Sequence, residues 1–275
     1  MSHDIHCGLT DTHAHLSYLS VFNADCAHAG NDQVDLQAAN STLAEFDTII
    51  DIGTDADDLG ERLNLLCGYK NVLFSAGIWP RIEAINDRFN QIDILRKSIE
   101  AHAEWVSAIG ECGFDRRENP LSSTGEDELF EMQLELARQY KKPIIVHTRE
   151  AANDAQQMLA KFKDVQAIIH CYSYDLSDAK KFLNLGAYIS FAGNLTFKNA
   201  HNLREAIRYI PHWRLLLETD CPYLAPVPFR GKQAHPGMIL ETYKMAAELM
   251  GIDIDALKHI ISENTKKLFC PHHAP

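Results

Sequence analysis

A single-domain α/β fold of the (β/α)8 TIM-barrel type is the class this sequence predicts, on three observations. Short apolar runs alternate eight times with helix-like stretches over 275 residues, a repeat number that suits a barrel better than an open sheet. Histidine, glutamate and aspartate stand where several of those runs end. In a barrel, such residues meet at the mouth on the strands' C-terminal side, where active sites lie. A doubly wound sheet is the competing arrangement, but it does not naturally bring strands one, four, five, six and eight together.

The strand-like runs fall near residues 5–13, 48–53, 72–78, 105–111, 143–147, 165–170, 187–191 and 214–219. Between them, segments such as 57–67, 126–140, 150–162 and 177–185 carry apolar residues at three- and four-residue intervals. Leu129, Met132, Leu136 and Tyr140 form one such stripe. Residues 222–236 are Pro-rich and read as a loop, and two further helical segments follow at 238–250 and 254–269. No linker, low-complexity segment or repeat interrupts the chain, so one domain over 1–275 is expected, with a flexible tail from about 270.

The chain is 46% hydrophobic, enough for a substantial core, and no apolar run approaches the roughly 20 residues that span a membrane. Its first residues lack the basic and apolar regions of a signal peptide. The seven cysteines show no paired CxxC spacing. Cys112, Cys171 and Cys221 each follow a candidate ligand, and strand alternation turns their thiols away from it, toward the helix layer. A reducing, cytoplasmic location is therefore expected. The formal charge of −12 argues against broad coating of DNA but leaves room for a nucleic-acid end held in a pocket.

His13 and His15, in Asp11-Thr-His-Ala-His15, are two apart on a strand and point to one face, where they can grip one ion. An isolated HxH reads equally well as polar residues at a strand end. Its place beside Asp11 at the first strand's mouth favours the metal, with Asp11 accepting an imidazole's second ring proton. Glu111 emerges from Ala108-Ile-Gly110, and its two oxygens suit it to bridge cations. His147 and His170 end strands five and six; each alone is an ordinary histidine, and together they suggest a site. Asp220 ends Leu215-Leu-Leu-Glu-Thr-Asp220 and is placed to bind metal and take a proton from water. Glu218, one layer deeper, is expected to support the ligands from behind. His102, His201, His212 and His259 are expected to face solvent. Trp79, Arg230, Lys232 and His235 fall in mouth loops as candidate substrate contacts.

From Asp11 to near Phe269 the chain resembles the TatD family of metal-dependent hydrolases and deoxyribonucleases, within the amidohydrolase-like barrels. The resemblance is carried by Asp11-Thr-His-Ala-His15, Gly110-Glu-Cys-Gly-Phe-Asp115, Pro143-Ile-Ile-Val-His147, His170-Cys-Tyr-Ser173 and Glu218-Thr-Asp-Cys-Pro-Tyr-Leu224, in that order. It implies two divalent cations, of zinc, manganese, iron or magnesium. His13, His15 and Asp220 would hold one, His147 and His170 the other, and Glu111 would bridge them. It also implies phosphodiester hydrolysis by metal-activated water, with Asp220 as proton acceptor and a DNA end or small phosphoester as substrate. No specific protein partner or membrane is implied.

The departures from the family pattern cluster in expected substrate loops. Gly77-Ile-Trp-Pro80 has tryptophan where the family often has histidine, and Cys171-Tyr-Ser-Tyr174 ends in tyrosine where glycine is usual. Gly113-Phe-Asp-Arg116 has arginine where tyrosine is common, and Arg230-Gly-Lys-Gln-Ala-His-Pro236 lacks the usual asparagine. Tyr174 is expected to narrow the site and Trp79 to add a stacking surface, so substrate preference is expected to differ. An enzyme on amide, ester or lactone bonds is the alternative, and a non-catalytic metal-bound scaffold a third reading. Many amidohydrolases bridge their metals with a carboxylated lysine, but Lys141 and Lys142 precede strand five, at its wrong end.

Overall fold

The computed structural model describes residues 8–19, 43–119 and 125–270. Residues 5–7 of the first expected run and the tail from 271 lie outside them. The eight strands are β1 (Leu9–Ala14), β2 (Phe46–Asp51), β3 (Val72–Ala76), β4 (Val106–Asp115), β5 (Ile144–Arg149), β6 (Ala167–Ile169), β7 (Tyr188–Phe191) and β8 (Leu215–Leu217). They pair in parallel in sequence order. A parallel bridge from Ala14 to Cys221 brings the last strand's extension back to the first. There His15 N–H donates to Cys221 O and Asp220 N–H to His13 O, both at 2.9 Å. The ring is thus closed at its mouth by the residues that carry the candidate ligands.

The helices follow the strands they connect: α1 (Leu59–Leu66), α2 (Ile82–Asn86), α3 (Arg88–Ala101), α4 (Glu126–Tyr140), α5 (Ala152–Leu159), α6 (Leu176–Asn184), α7 (His201–Tyr209), α8 (Ile239–Met250) and α9 (Ile254–Phe269). The main core lies between strands and helices. Outward-facing Ile49, Phe74, Ile109, Val146, Ile169 and Ile189 meet apolar helix faces such as Leu129, Leu134 and Phe182. A smaller cluster fills the barrel itself. Ile50, Ala108, Ile145, Ile168, Tyr188 and Leu216 pack together there, joined by Leu268 and Phe269 from the end of α9. Asn264 fastens that helix by donating to the carbonyls of His212, in the turn before β8, and of Leu215, at its start.

Strand alternation then decides what reaches the mouth. Ile145 and Ile168 face inward, so His147 and His170, two residues on, face inward as well. β4 needs a correction to that rule. Ala108 faces inward, so strict alternation would send Glu111 outward with Ile109. The β4–β5 register shifts between Ile109 and Cys112, and this irregularity resets the phase so that Glu111 enters the barrel.

β4 also runs four residues beyond its expected end at Glu111, to Asp115, and is buried throughout. Gly113 makes the extension possible. Its φ is +143°, and a Cβ there would lie 2.0 Å from His147 O on β5. Among the described residues, no helix is long and apolar enough to cross a membrane.

Gly113→Ala is expected to force β4 and β5 apart where Glu111 and His147 sit, destabilising the fold by roughly 2–4 kcal/mol from strain and overpacking. Urea unfolding measures this, and an unchanged midpoint would contradict so close an approach.

Candidate metal centre

Glu111 is the hub of the mouth, and its two oxygens face different partners. Oε2 lies 3.4 Å from His13 Nε2 and 3.6 Å from His15 Nε2. Asp220 Oδ1 completes that group, at 3.6 Å from His13 Nε2 and 3.5 Å from His15 Nε2. Oε1 lies 2.7 Å from His147 Nδ1 and 2.9 Å from His170 Nε2. The two ring nitrogens of that second group are 3.2 Å apart.

Asp220 owes its aim to a left-handed backbone, with φ +57°. His13 stacks on His170, with centroids 4.0 Å apart and planes at 9°. The chain after His15 is held by Asp51, which accepts from Leu16 N–H and from buried Arg62.

These atoms suit a cation. Spacings of 3.4–3.6 Å in the first group exceed hydrogen-bond length. They match the separation of about 3.4 Å expected of tetrahedral ligands bonded at about 2.1 Å to one ion. His13 Nε2, which faces Glu111 and Asp220, is buried without a hydrogen-bond partner, and stranding such an atom is costly. In the second group the spacings of 2.7–3.2 Å are of hydrogen-bond length, so as the atoms stand an imidazole N–H is shared there with Glu111 Oε1. His13, Glu111 and His170 form one set fit for a metal, and His13, His15 and Asp220 another.

Burial works against charge on all of these groups. At Glu111 and Asp220 the neighbouring histidines outweigh it. Both carboxyls fall below their usual range, Glu111 far below. At His15, His147 and His170 the nearby carboxylates outweigh it and raise the imidazoles, most strongly at His170. His13 alone is lowered, by burial and then by the charge of His170.

The supporting residues differ in part from expectation. Glu218 lies behind His170: its Oε1 is 3.5 Å from His170 Nδ1 and accepts Cys171 N–H at 2.7 Å. Among the described residues, Asp11 hydrogen-bonds no imidazole. Its carboxylate accepts from the N–H of His13 and from the N–H and hydroxyl of Thr219, tying β1 to the end of β8. Burial is the main reason its pKa rises to about 7. Asp115, which was not singled out, takes the orienting role instead, with His147 Nε2 donating to its Oδ2 at 2.8 Å. Its signal was present in the sequence, because Asp115 lies four residues beyond Glu111 on the same strand face.

A cavity of about 580 Å³ opens above the ligands. Of the five expected substrate contacts, Trp79 alone lines it, its ring 5.5 Å from that of His147. Tyr174 turns instead to the β5–α5 connection, bonding Thr148 Oγ1 and Ala151 N–H. Arg230, Lys232 and His235 are exposed outside the cavity wall, with Arg230 over the Phe197 ring and Lys232 over that of Phe229. The wall also includes Tyr18, Arg81, Arg149, Asn194 and Tyr223, which sequence reasoning did not single out as substrate contacts. Cys171 lines it too, contrary to the outward placement expected. Its φ of +45° breaks strand alternation. Cys112 and Cys221 are buried.

A family model described as TatD related DNase matches residues 10–270. The metal-dependent hydrolase YcfH of Escherichia coli K12 is 38% identical over 267 residues, covering 95% of each chain. YabD of Bacillus subtilis, also a metal-dependent hydrolase, is 33% identical over 263 residues, covering 95% of this chain and 98% of its own. The crystal structure of the TatD homolog YJJV from Escherichia coli K12 superposes with a TM-score of 0.85 at 25% identity, covering 98% of this chain and 100% of that one.

Replacing Asp115 by alanine is expected to weaken metal binding by about 10- to 100-fold while leaving the barrel folded. Equilibrium dialysis with elemental analysis reads this. Affinity equal to the parent's would show that Asp115 does not support His147 as a ligand.

Proposed function

This chain belongs to the TatD-related DNase family of metal-dependent hydrolases, and from that premise we propose that it is a phosphodiesterase acting on DNA ends or small phosphoesters. The observation that carries the reading is the division of Glu111, one oxygen toward His13 and His15 and the other toward His147 and His170. His13, His15 and Asp220 would hold one divalent cation and His147 and His170 a second, with Glu111 shared. Divalent cations held there would supply Lewis acidity and make water a stronger nucleophile near neutral pH.

The chain's own groups supply the rest. Asp220 remains ionised because the histidines beside it outweigh its burial, so its carboxylate can accept the proton that water releases. Asp115 holds His147 by its Nε2–H, leaving Nδ1 turned toward Glu111. Glu218 steadies the residue that follows His170. Trp79 offers an aromatic face beside His147, on which a nucleobase can stack for roughly 1–3 kcal/mol. A cavity of about 580 Å³ suits the end of a strand rather than a duplex lying across it. The described cysteines, Cys67, Cys112, Cys171, Cys221 and Cys270, are all free, in keeping with a cytoplasmic location.

End-labelled single-stranded DNA is expected to release nucleotides with magnesium or manganese, to be protected by chelator, and to survive intact with Glu111→Ala. An intact substrate with folded, metal-loaded parent would reject single-stranded DNA and move the reading to small phosphoesters.

A further inference from the structure

A phosphodiester carries a negative charge on its non-bridging oxygens at neutral pH, whereas carboxylic esters, lactones and phosphotriesters are neutral. The two arginines in the cavity wall differ in how far their charge is committed. Arg81 is bound by Asp55, Nη1 to Oδ1 at 2.8 Å and Nη2 to Oδ2 at 3.2 Å. Arg116, next to Asp115, is outside the wall and is held by Glu126 and Asp154.

Arg149 is different. Its only ion pair among the described residues is with Asp115 Oδ2, at 4.0 Å, beyond hydrogen-bond reach. That same oxygen accepts from His147 at 2.8 Å, and Asp115 Oδ1 accepts the N–H groups of Arg117 and Glu118. Asp115 is therefore occupied, and the Arg149 side chain is 44% exposed at the cavity wall.

The strand fixes where that charge stands. Arg149 is two residues beyond His147, on the same face of β5. Its backbone pairs with Asp115, and its carbonyl accepts Arg116 N–H at 2.9 Å. A rigid backbone beside the second ligand group thus carries a cationic side chain with no carboxylate within hydrogen-bond reach among the described residues. The planar guanidinium presents paired N–H donors that match two phosphate oxygens.

We propose that Arg149 binds the non-bridging oxygens of the substrate phosphate and so selects anionic phosphodiesters over neutral esters. This rests on the phosphodiesterase reading and assigns that site its charge-recognising residue. Arg81, already bound to Asp55, has no such part.

Titrating inorganic phosphate into metal-loaded protein tests the assignment apart from turnover. Arg149→Met is expected to weaken phosphate binding by about 10- to 100-fold, the scale of a charge-assisted contact, with bound metal per chain unchanged. Arg149→Lys, which keeps the charge but loses the fork, is expected to fall between it and the parent. The kcat/KM for bis(4-nitrophenyl) phosphate should fall in parallel. Phosphate affinity of the Met variant within about twofold of the parent's would overturn the assignment, as would a parent that binds no phosphate. A parent that binds phosphate through Arg149 yet cuts neither this diester nor end-labelled single-stranded DNA would uphold the anion site and refute the phosphodiesterase reading.

Discussion

The mouth of this barrel is organised by one carboxylate, Glu111, whose oxygens serve two groups of histidines. Everything that fixes Glu111 is a feature of the surrounding strands. The register shift in β4 turns it inward, its N–H donates to Gly53 O at 2.8 Å, and Gly113 lets the strand continue against β5. His13, His147 and His170 come from three other strand ends and meet it there. Asp220 arrives from the extension of β8, which the Asp11–Thr219 contacts hold against β1. The closure of the ring and the assembly of the ligands are the same event.

Such a cluster is costly by itself. Glu111, His13, His15, His170 and Asp220 are all buried, and taking charges out of water costs several kcal/mol each unless they are compensated. The histidines and carboxylates compensate one another in part, which is why both carboxyls are lowered and three of the four imidazoles raised. His13 Nε2, facing Glu111 and Asp220 without a hydrogen-bond partner, shows that the compensation is incomplete. A divalent cation would complete it, because imidazole and carboxylate are ligands of the right hardness for zinc, manganese or iron. Metal binding and stability are coupled for the same reason.

The barrel and the convergence of its ligands were legible in the sequence because both rest on short-range rules. An apolar run ended by a ligand-type residue places that residue at a strand's mouth, and this located His147, His170 and Asp220. Features that depend on broken periodicity were harder to read. Glu111 was recognised by its residue type, but alternation from Ala108 alone would have turned it outward. Cys171 was assigned to the helix side because its left-handed backbone has no signature in residue type. Asp11 sits beside the histidines in sequence and yet serves β8, while Asp115 takes the orienting role because a strand assumed to end at Glu111 continues. Loop residues were the least legible. Tyr174, Arg230, Lys232 and His235 are expected substrate contacts from their position along the chain; Tyr174 turns to Thr148 and Ala151, and none of the four is among the residues that line the cavity.

The most direct test is anomalous diffraction from crystals grown with manganese or zinc, collected on either side of the metal's absorption edge. A shared Glu111 predicts two peaks, one among His13, His15 and Asp220 and one between His147 and His170, each contacting a different oxygen of Glu111. A single peak, or two peaks with Glu111 bound to neither, would contradict the bridging role on which this view of the site depends.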